Sequence, residues 1–254
     1  MGAKAPTGNG GSTSVTGVAS TPRRGETEIQ EKREVATDTC LLRCSGPGKD
    51  PFHQLPGQYV TFRLQREGKP VTRSYSITSD PTPQPEFELV VKRVEGGLAS
   101  NLLCDAAIGD RFNVILPLGK FAVHEPGDRP LLFVATGTGI APFFPMVRSV
   151  RHRFPDTRTS LVVGYRYPAD LILNDRWVDL AREWDRFQLI NVLSRPDAPW
   201  TGRSGHVQDV LGKDFPDLSH YDVYICGAPE MVTDVQSYAI DHGTPKDRVF
   251  VERY

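Results

Sequence analysis

The pattern of apolar residues changes near Pro126, and this change restricts the folds that the chain can adopt. Before it, short runs rich in β-branched and aromatic residues read QYVTFRL, VTRSYSIT, FELVVKRV and RFNVILPL. Clusters of turn-forming residues such as SGPGKDP, REGKP and SDPTPQP separate them. Several short strands at close spacing predict a small antiparallel β-barrel, with one short helix at LASNLLCD.

After Pro126 the chain alternates between strand-like and helix-like segments. The run PLLFVATGTG enters a glycine-containing turn and is followed by the helix-like segment APFFPMVRSVRHRF. Such alternation predicts parallel βαβ units with helices on both faces of a sheet. The terminal run VFVERY is its last strand, and its carboxyl end lies where such sheets bind ligands. The predicted fold is an antiparallel β-barrel domain over residues 26–125 followed by an α/β parallel-sheet domain over residues 126–254.

Composition excludes several classes of partner. The net charge of −1 gives no overall attraction to nucleic acid, and no apolar run approaches the roughly 20 residues that span a bilayer. We therefore expect no nucleic-acid partner and no membrane insertion. Residues 1–25 are rich in Gly, Ser, Thr and Pro, and this composition predicts a flexible N-terminal arm. The same residues lack the apolar segment of a secretory signal.

The four cysteines, Cys40, Cys44, Cys104 and Cys226, have spacings that do not suit a metal centre. They lack the close pairs of a zinc site and the clustered run of a plant-type iron–sulfur centre. Cys40 and Cys44 lie two side-chain repeats apart on a predicted strand, as buried reduced thiols would. The sequence therefore predicts no metal site and a cytoplasmic protein with reduced cysteines.

Three motifs carry polar chemistry. In ATGTGIAP, Gly137 and Gly139 allow backbone to approach phosphate oxygens, and Pro142 suits the first turn of the following helix. A plain strand–turn–helix connection explains this motif almost equally well. In RSYSITS, Arg73 suits a diphosphate and Tyr75 suits stacking on a flat heterocycle, but a surface strand with a cation–aromatic pair is the simpler explanation. EGGLASNLL is either a second phosphate-binding helix start or a simple capped turn.

Taken together, the motifs are more specific. In order along the chain, PGQYV, RSYSITS, VVKR, GGLASNLLCD, PLGKF, GTGIAPF, LSR, ICGAPEM and the terminal VERY resemble the ferredoxin–NADP⁺ reductase family of flavoenzymes. The resemblance extends from about Gln30 to the last residue, and GTGIAPF, SNLLCD and the terminal Glu-x-Tyr are details of the plant-type members. It implies a barrel that binds FAD and a parallel sheet that binds a nicotinamide dinucleotide.

The resemblance also implies roles for individual residues. Arg73 is expected to hold the FAD diphosphate, Tyr75 to pack against the isoalloxazine ring, and Ser76 to lie near its N5 atom. The residues assigned to FAD are Arg73, Ser74, Tyr75, Ser76, Val91, Lys92, Gly97, Leu98, Ala99, Ser100, Thr138 and Tyr254. Those assigned to the dinucleotide are Gly137, Thr138, Gly139, Pro142, Ser194, Arg195, Arg203, Cys226 and Gly227.

Four residues are expected to act at the reacting rings: Ser76, Cys226, Glu252 and Tyr254. The resemblance implies that Cys226 and Gly227 face the nicotinamide and that Glu252 lies beside the ring pair. Tyr254 is expected to stack on the flavin face that the nicotinamide must occupy, as a removable cover.

The strand FQLINVLSR ends on Ser194 and Arg195, and Arg203 follows in the next loop. A hydroxyl and guanidinium groups suit the 2′-phosphate of NADPH, whereas an NAD-selective site would place a carboxylate there. We therefore predict a preference for NADPH. A polar strand end without a phosphate partner is the alternative.

The predicted function is a FAD-dependent reductase that passes electrons between NADPH, a two-electron hydride donor, and a one-electron protein carrier such as ferredoxin or flavodoxin. Lys92 and Arg93, and a helix-face group formed by Arg148, Arg151 and His152, could bind an acidic carrier, although a solvated helix face also explains that group. The segment after LSR is closer to oxygenase reductases, so an oxygenase-reductase component is an alternative. A flavin- or ferric-reducing diaphorase and a non-enzymatic flavin-binding module are further alternatives.

Overall fold

The computed structural model describes residues 21–48, 50–66 and 68–253. Residues 1–20 of the predicted N-terminal arm and the predicted flavin cover, Tyr254, lie outside these ranges. The described residues of the first half form six strands and one helix: β1 (Arg23–Ala36), β2 (Thr39–Ser45), β3 (Tyr59–Arg66), β4 (Lys69–Ser76), β5 (Glu86–Lys92), α1 (Leu98–Asp105) and β6 (Arg111–Leu118). Helix α1 coincides with the predicted LASNLLCD segment.

The first sheet is an antiparallel barrel with strand order β4-β3-β6-β1-β2-β5. Its two edge strands meet just past the end of β4, where Ile77 pairs with Leu89 and the Thr78 amide donates to the Glu88 carbonyl at 2.9 Å. Alternate residues of the strands point inward and exclude water from one apolar core. Fully buried members of this core include Ile29, Leu42, Phe62, Phe87 and Leu103.

The start of β1 differs from the predicted flexible arm. Arg23, Arg24 and Gly25 belong to β1 and pair with Leu116, Ile115 and Val114 of β6. The ladder of backbone hydrogen bonds to β6 orders this polar segment, which the composition of its side chains does not reveal.

The second half forms one parallel sheet with helices on both faces. Its elements are β7 (Leu131–Thr136), α2 (Phe143–Arg153), β8 (Thr159–Tyr165), α3 (Asn174–Glu183), β9 (Phe187–Leu193), β10 (Arg203–Ser204), α4 (Val207–Asp214), β11 (Asp222–Gly227), α5 (Pro229–Asp241) and β12 (Val249–Arg253). The strand order is β10-β9-β8-β7-β11-β12. Helices α2 and α3 cover one face, and α4 and α5 cover the other. The predicted fold class is confirmed.

The two sheets pack directly against each other. Leu41 of β2 and Val90 of β5 belong to the same apolar cluster as residues of α2, α3 and the parallel sheet. Strand β6 ends at Leu118 and β7 begins at Leu131, so the predicted boundary at residue 126 falls in the connection between them. Its exact position stays a prediction.

Candidate functional site

The carboxyl edge of the parallel sheet brings together two glycine turns that are distant in sequence. Strands β7 and β11 are neighbours, with Ala135 opposite Cys226. The turn Gly137–Ile140 is a short 3₁₀ helix, and α2 begins only after Pro142, which occupies its N-cap position. The predicted phosphate-binding turn is therefore itself a 3₁₀ helix, and Pro142 lies just before α2 rather than in its first turn.

Close packing explains why two of these positions are glycine. A Cβ atom on Gly139 would collide with the Cys226 carbonyl and lie 2.8 Å from the Gly227 Cα. Gly227 has φ +148°, and a Cβ there would lie 2.5 Å from Thr136 Oγ1. The two turns thus pack backbone against backbone at the carboxyl edge of the sheet, which larger side chains at these positions would prevent.

Glu252 lies beside these two turns. It is opposite Cys226 in the parallel pairing of β12 with β11. Its Oε2 atom is buried and has no hydrogen-bond partner among the described residues. Burial raises the pKa of Glu252 to about 7. A carboxyl group in this state can gain or lose a proton near neutral pH, which suits a group beside a redox ring pair.

Strand β4 presents the predicted flavin-binding residues with different exposures. Ser76 is buried, whereas Arg73 is exposed and its Nη1 donates to the Thr72 carbonyl at 2.8 Å. Tyr75 is half-buried and packs edge-to-face on Phe62, with ring centroids 5.8 Å apart. Burial raises the pKa of Tyr75 to about 12, so its hydroxyl stays protonated. Ser74 is exposed and shares a 2.9 Å hydrogen bond with Thr61.

The N-terminus of α1 is a second candidate phosphate site. Gly97 is its N-cap, and no described side chain caps the helix. Ser100, which was assigned to FAD, accepts a hydrogen bond from the Val94 amide at 3.2 Å. Amides in the first turn of a helix have no partner within it, so those of Leu98 and Ala99 are suited to an anion. A diphosphate fits this uncapped turn.

Val91 and Lys92, also predicted to contact FAD, have other partners in the structure. The Val91 side chain is fully buried in the barrel core, and Lys92 Nζ lies 3.8 Å from Asp170 Oδ1 of the second half. Their predicted contact with FAD stays a prediction.

The ends of β8 and β9 form the candidate 2′-phosphate site. The Ser194 amide donates to the Tyr165 carbonyl at 3.0 Å, and the Arg195 amide to the Arg166 carbonyl at 2.8 Å. Arg195 Nη1 lies 3.5 Å from the Tyr167 hydroxyl. Tyr167 is half-exposed and was not among the residues predicted from the sequence. Arg166 and Tyr167 directly follow β8, and that position was the only available signal for them.

Arg203 is less available than Arg195. Its Nη2 lies 2.7 Å from Asp214 Oδ2, so a carboxylate already neutralises it. The predicted carrier-binding cations are paired in the same way. Arg93 binds Asp105 at 2.6 Å, Arg151 binds Glu183 at 2.8 Å, and Arg148 lies 3.8 Å from Asp80. These carboxylates lower the positive potential that both groups present to a carrier.

Comparison with known proteins assigns the family. Residues 26–123 match the model of the oxidoreductase FAD-binding domain, and residues 133–237 match the oxidoreductase NAD-binding domain. The chain is 36% identical over 205 residues to ferredoxin–NADP reductase B of Sorangium cellulosum, covering 78% of this chain and 84% of that protein. The chain belongs to the ferredoxin–NADP⁺ reductase family. This reductase is thus an oxidoreductase with one domain for FAD and one for a nicotinamide dinucleotide.

Other relatives of this reductase are the reductase of a monooxygenase and a cytochrome P450 reductase. It is 28% identical over 234 residues to the reductase component of propane 2-monooxygenase from Rhodococcus jostii, spanning 90% of this chain but 63% of that protein. The cytochrome P450 reductase GcoB of Amycolatopsis superposes with a TM-score of 0.84 at 29% identity, over 91% of this chain and 70% of GcoB. None of the helices within the described ranges has both the length and the apolar character that a bilayer crossing requires. The same ranges contain no group of three or more His, Cys, Asp or Glu side chains that could hold a metal ion.

Proposed function

We propose that this reductase passes electrons between NADPH and a one-electron protein carrier such as ferredoxin or flavodoxin. The observation that carries the proposal is the close packing of the Gly137–Ile140 turn on Cys226 and Gly227 at the carboxyl edge of the sheet, with the partly buried carboxyl group of Glu252 beside it. FAD, when bound, supplies the ability to accept two electrons together and release them one at a time.

The barrel residues hold the flavin in this proposal. The uncapped amides of Leu98 and Ala99 and the guanidinium of Arg73 bind the diphosphate. Tyr75 offers the isoalloxazine a flat apolar face whose position is fixed by Phe62.

The parallel sheet holds the dinucleotide. Backbone amides of Gly137–Gly139 bind its pyrophosphate, and Cys226 and Gly227 form the floor beneath the nicotinamide. Glu252 holds or gives up a proton at its carboxyl group near pH 7, because burial keeps its two protonation states close in free energy.

We propose that Arg195 and Tyr167 select NADPH. The end of β9 presents Ser194 and Arg195 where an NAD-selective site would present a carboxylate. The guanidinium of Arg195 is exposed and contacts only a phenol among the described side chains, so its charge remains available to a 2′-phosphate.

An oxygenase component is a second candidate for the electron acceptor. The similarity to the propane 2-monooxygenase reductase and the superposition on GcoB favour it. Both relatives are longer than this chain, so their acceptors do not transfer directly to it.

The test compares acceptors with the FAD-loaded protein and NADPH. Reduction of ferredoxin, flavodoxin, free FMN and ferricyanide is followed at matched acceptor concentrations. We expect a higher kcat/KM for ferredoxin or flavodoxin than for free FMN. Efficient reduction of FMN and ferricyanide alone would instead indicate a diaphorase, and the absence of bound FAD would contradict the proposal altogether.

A further inference from the structure

Two cysteines that are distant in sequence are in direct contact. Cys40 on β2 and Cys104 on α1 are 64 residues apart, yet their Sγ atoms lie 3.4 Å from each other. Both are reduced in the structure. The contact joins a strand of the barrel to the helix whose N-terminus is the candidate diphosphate site.

The two thiols have unequal surroundings. Cys40 is buried, whereas Cys104 is partly exposed in a pocket of about 290 Å³. Lys32 Nζ donates to the Cys104 carbonyl at 3.1 Å and to the Ala106 carbonyl at 2.6 Å, so its ammonium group is held at this end of α1. The charged groups around the thiols are Lys32, Arg33, Glu34, Asp38, Arg93 and Asp105.

These surroundings favour ionisation of Cys104 before Cys40. The hydrogen bond from Cys40 lowers the pKa of Cys104, and the positive charges of Arg93 and Lys32 act in the same direction against burial and Asp105. The same hydrogen bond, together with burial, raises the pKa of Cys40. Cys104 is thus the accessible nucleophile and Cys40 the protected thiol beside it.

We propose that Cys104 and Cys40 form a reversible oxidation site that responds to hydrogen peroxide. The Cys104 thiolate attacks one peroxide oxygen, the O–O bond breaks, and the other oxygen leaves as water with the proton that Cys104 released. Cys104 is then a sulfenic acid. The Cys40 sulfur attacks the Cys104 sulfur, an S–S bond forms, the S–O bond breaks, and a second water leaves. Two thiols lose two electrons in total, and one peroxide gains them.

Little movement is needed for this bond. A disulfide has an S–S distance of about 2.0 Å, so the sulfur atoms must approach by about 1.4 Å. The product would tie α1 to β2. Tyr75, which is proposed to bind the flavin, and Cys104 pack against the same barrel core. The disulfide would therefore form close to a flavin-binding side chain.

The test treats the FAD-loaded protein with hydrogen peroxide and then alkylates it under denaturing conditions. We expect the alkylatable cysteines to fall from four to two, a peptide pair linked through Cys40 and Cys104 in mass spectra, and full recovery with dithiothreitol. Cys44→Ser is the matched control, since Cys44 is fully buried on the same strand and burial raises its pKa to about 12. It should form the same link.

Two variants separate the roles of the thiols. Cys40→Ser should leave a sulfenic acid on Cys104 that dimedone traps, and Cys104→Ser should leave Cys40 unreacted. Wild-type protein that keeps four alkylatable cysteines, or that links neither residue, would overturn the proposal whatever the variants do.

A second readout concerns helix α1 and rests on the proposed FAD site. If α1 holds the diphosphate, the oxidised protein should release FAD more slowly than the reduced protein, because the bond restrains the helix. Unchanged FAD release with the link present would overturn this effect on the cofactor but not the oxidation site. A protein that never binds FAD would instead contradict the proposed function.

Discussion

The carboxyl group of Glu252 shows how one residue can connect burial, protonation and stability. Its folded pKa of about 7 lies above the ordinary value of 4.5 because burial disfavours the charged form. The folded protein therefore holds this proton more tightly than the unfolded chain does. Linkage then requires the free energy of unfolding from this group to fall as the pH rises from 4.5 to about 7.

Glu252→Gln should remove this pH dependence. At pH 4 the variant and the wild type should have similar free energies of unfolding, since Glu252 is then mainly neutral in both the folded protein and the unfolded chain. At pH 8 the free energy of unfolding of the variant should be higher than that of the wild type by about 1–3 kcal/mol. This difference is smaller than the whole pKa shift would give, because Glu252 is only partly buried and water screens its charge. Urea denaturation of the FAD-loaded proteins measures both. Glu125→Gln, which alters an exposed carboxyl group, is the control and should show the same dependence of unfolding free energy on pH as the wild type. The same dependence in Glu252→Gln would contradict the prediction.

Arg195→Ala should lower the preference for NADPH. Loss of a charge-assisted contact worth about 1.5–3 kcal/mol should reduce kcat/KM for NADPH by about ten- to a hundredfold and leave NADH nearly unchanged. Arg203→Ala should have a smaller effect, since Asp214 already binds that guanidinium. Steady-state kinetics with both dinucleotides measure the ratio. Arg182→Ala, a change on an exposed face of α3, is the control, and an unaltered ratio in Arg195→Ala would refute the assignment.

At the scale of elements, the glycine turn after β7 and the end of β11 act as one unit. Gly139→Ala would place a methyl group against the Cys226 carbonyl, and backbone there cannot move without disturbing the sheet. We expect weaker NADP⁺ binding and a free energy of unfolding lower by about 1–3 kcal/mol, while bound FAD is retained. Calorimetry and the flavin absorption spectrum measure these quantities.

Gly212→Ala is the control for that substitution. Gly212 lies inside α4 with no atom near its missing Cβ, so alanine there should stabilise the protein by about 0.5–1 kcal/mol. Its NADP⁺ affinity should not change. Equal affinities for all three proteins would show that the glycine turn does not bind the dinucleotide.

Elements of this reductase were predictable where one local rule decides them. Alternating β-branched runs specify the barrel strands, and continuous apolar runs such as Leu131–Thr136 specify the buried parallel strands. The contact of Cys40 with Cys104 was not predictable, because it depends on how α1 packs against the barrel. The pairing of Arg203 with Asp214 likewise depends on the packing of α4 beside β10. The roles carried over from the family resemblance, including that of Ser76, stay predictions.

At the scale of the whole molecule, the two sheets share an apolar cluster and are joined by polar contacts. Arg176 of α3 binds Glu88 of β5 at 2.9 Å, and the Thr37 amide donates to the Ala169 carbonyl at 3.0 Å. These contacts should make the two halves unfold together, because exposure of either half would uncover the apolar surface of the other. Such coupling would hold the barrel side chains that are proposed to bind the flavin at a fixed distance from the carboxyl edge of the parallel sheet.

A double-mutant cycle on the Arg176–Glu88 pair tests this coupling. The side chains of Arg176 and Glu88 are 31% and 22% exposed, so water screens the ion pair only partly. We therefore expect the substitutions Arg176→Met and Glu88→Gln to show a coupling energy of about 1–2 kcal/mol. The control pair Arg182–Asp179 lies within α3 at 76% and 63% exposure and should give about 0–0.5 kcal/mol. Urea unfolding is followed by far-UV circular dichroism and by flavin fluorescence. If the halves unfold together, both probes will give the same urea midpoint, and each single substitution will lower that midpoint in both probes. If the halves unfold separately, the two probes will give different urea midpoints, and the coupling energy will be absent from the later transition.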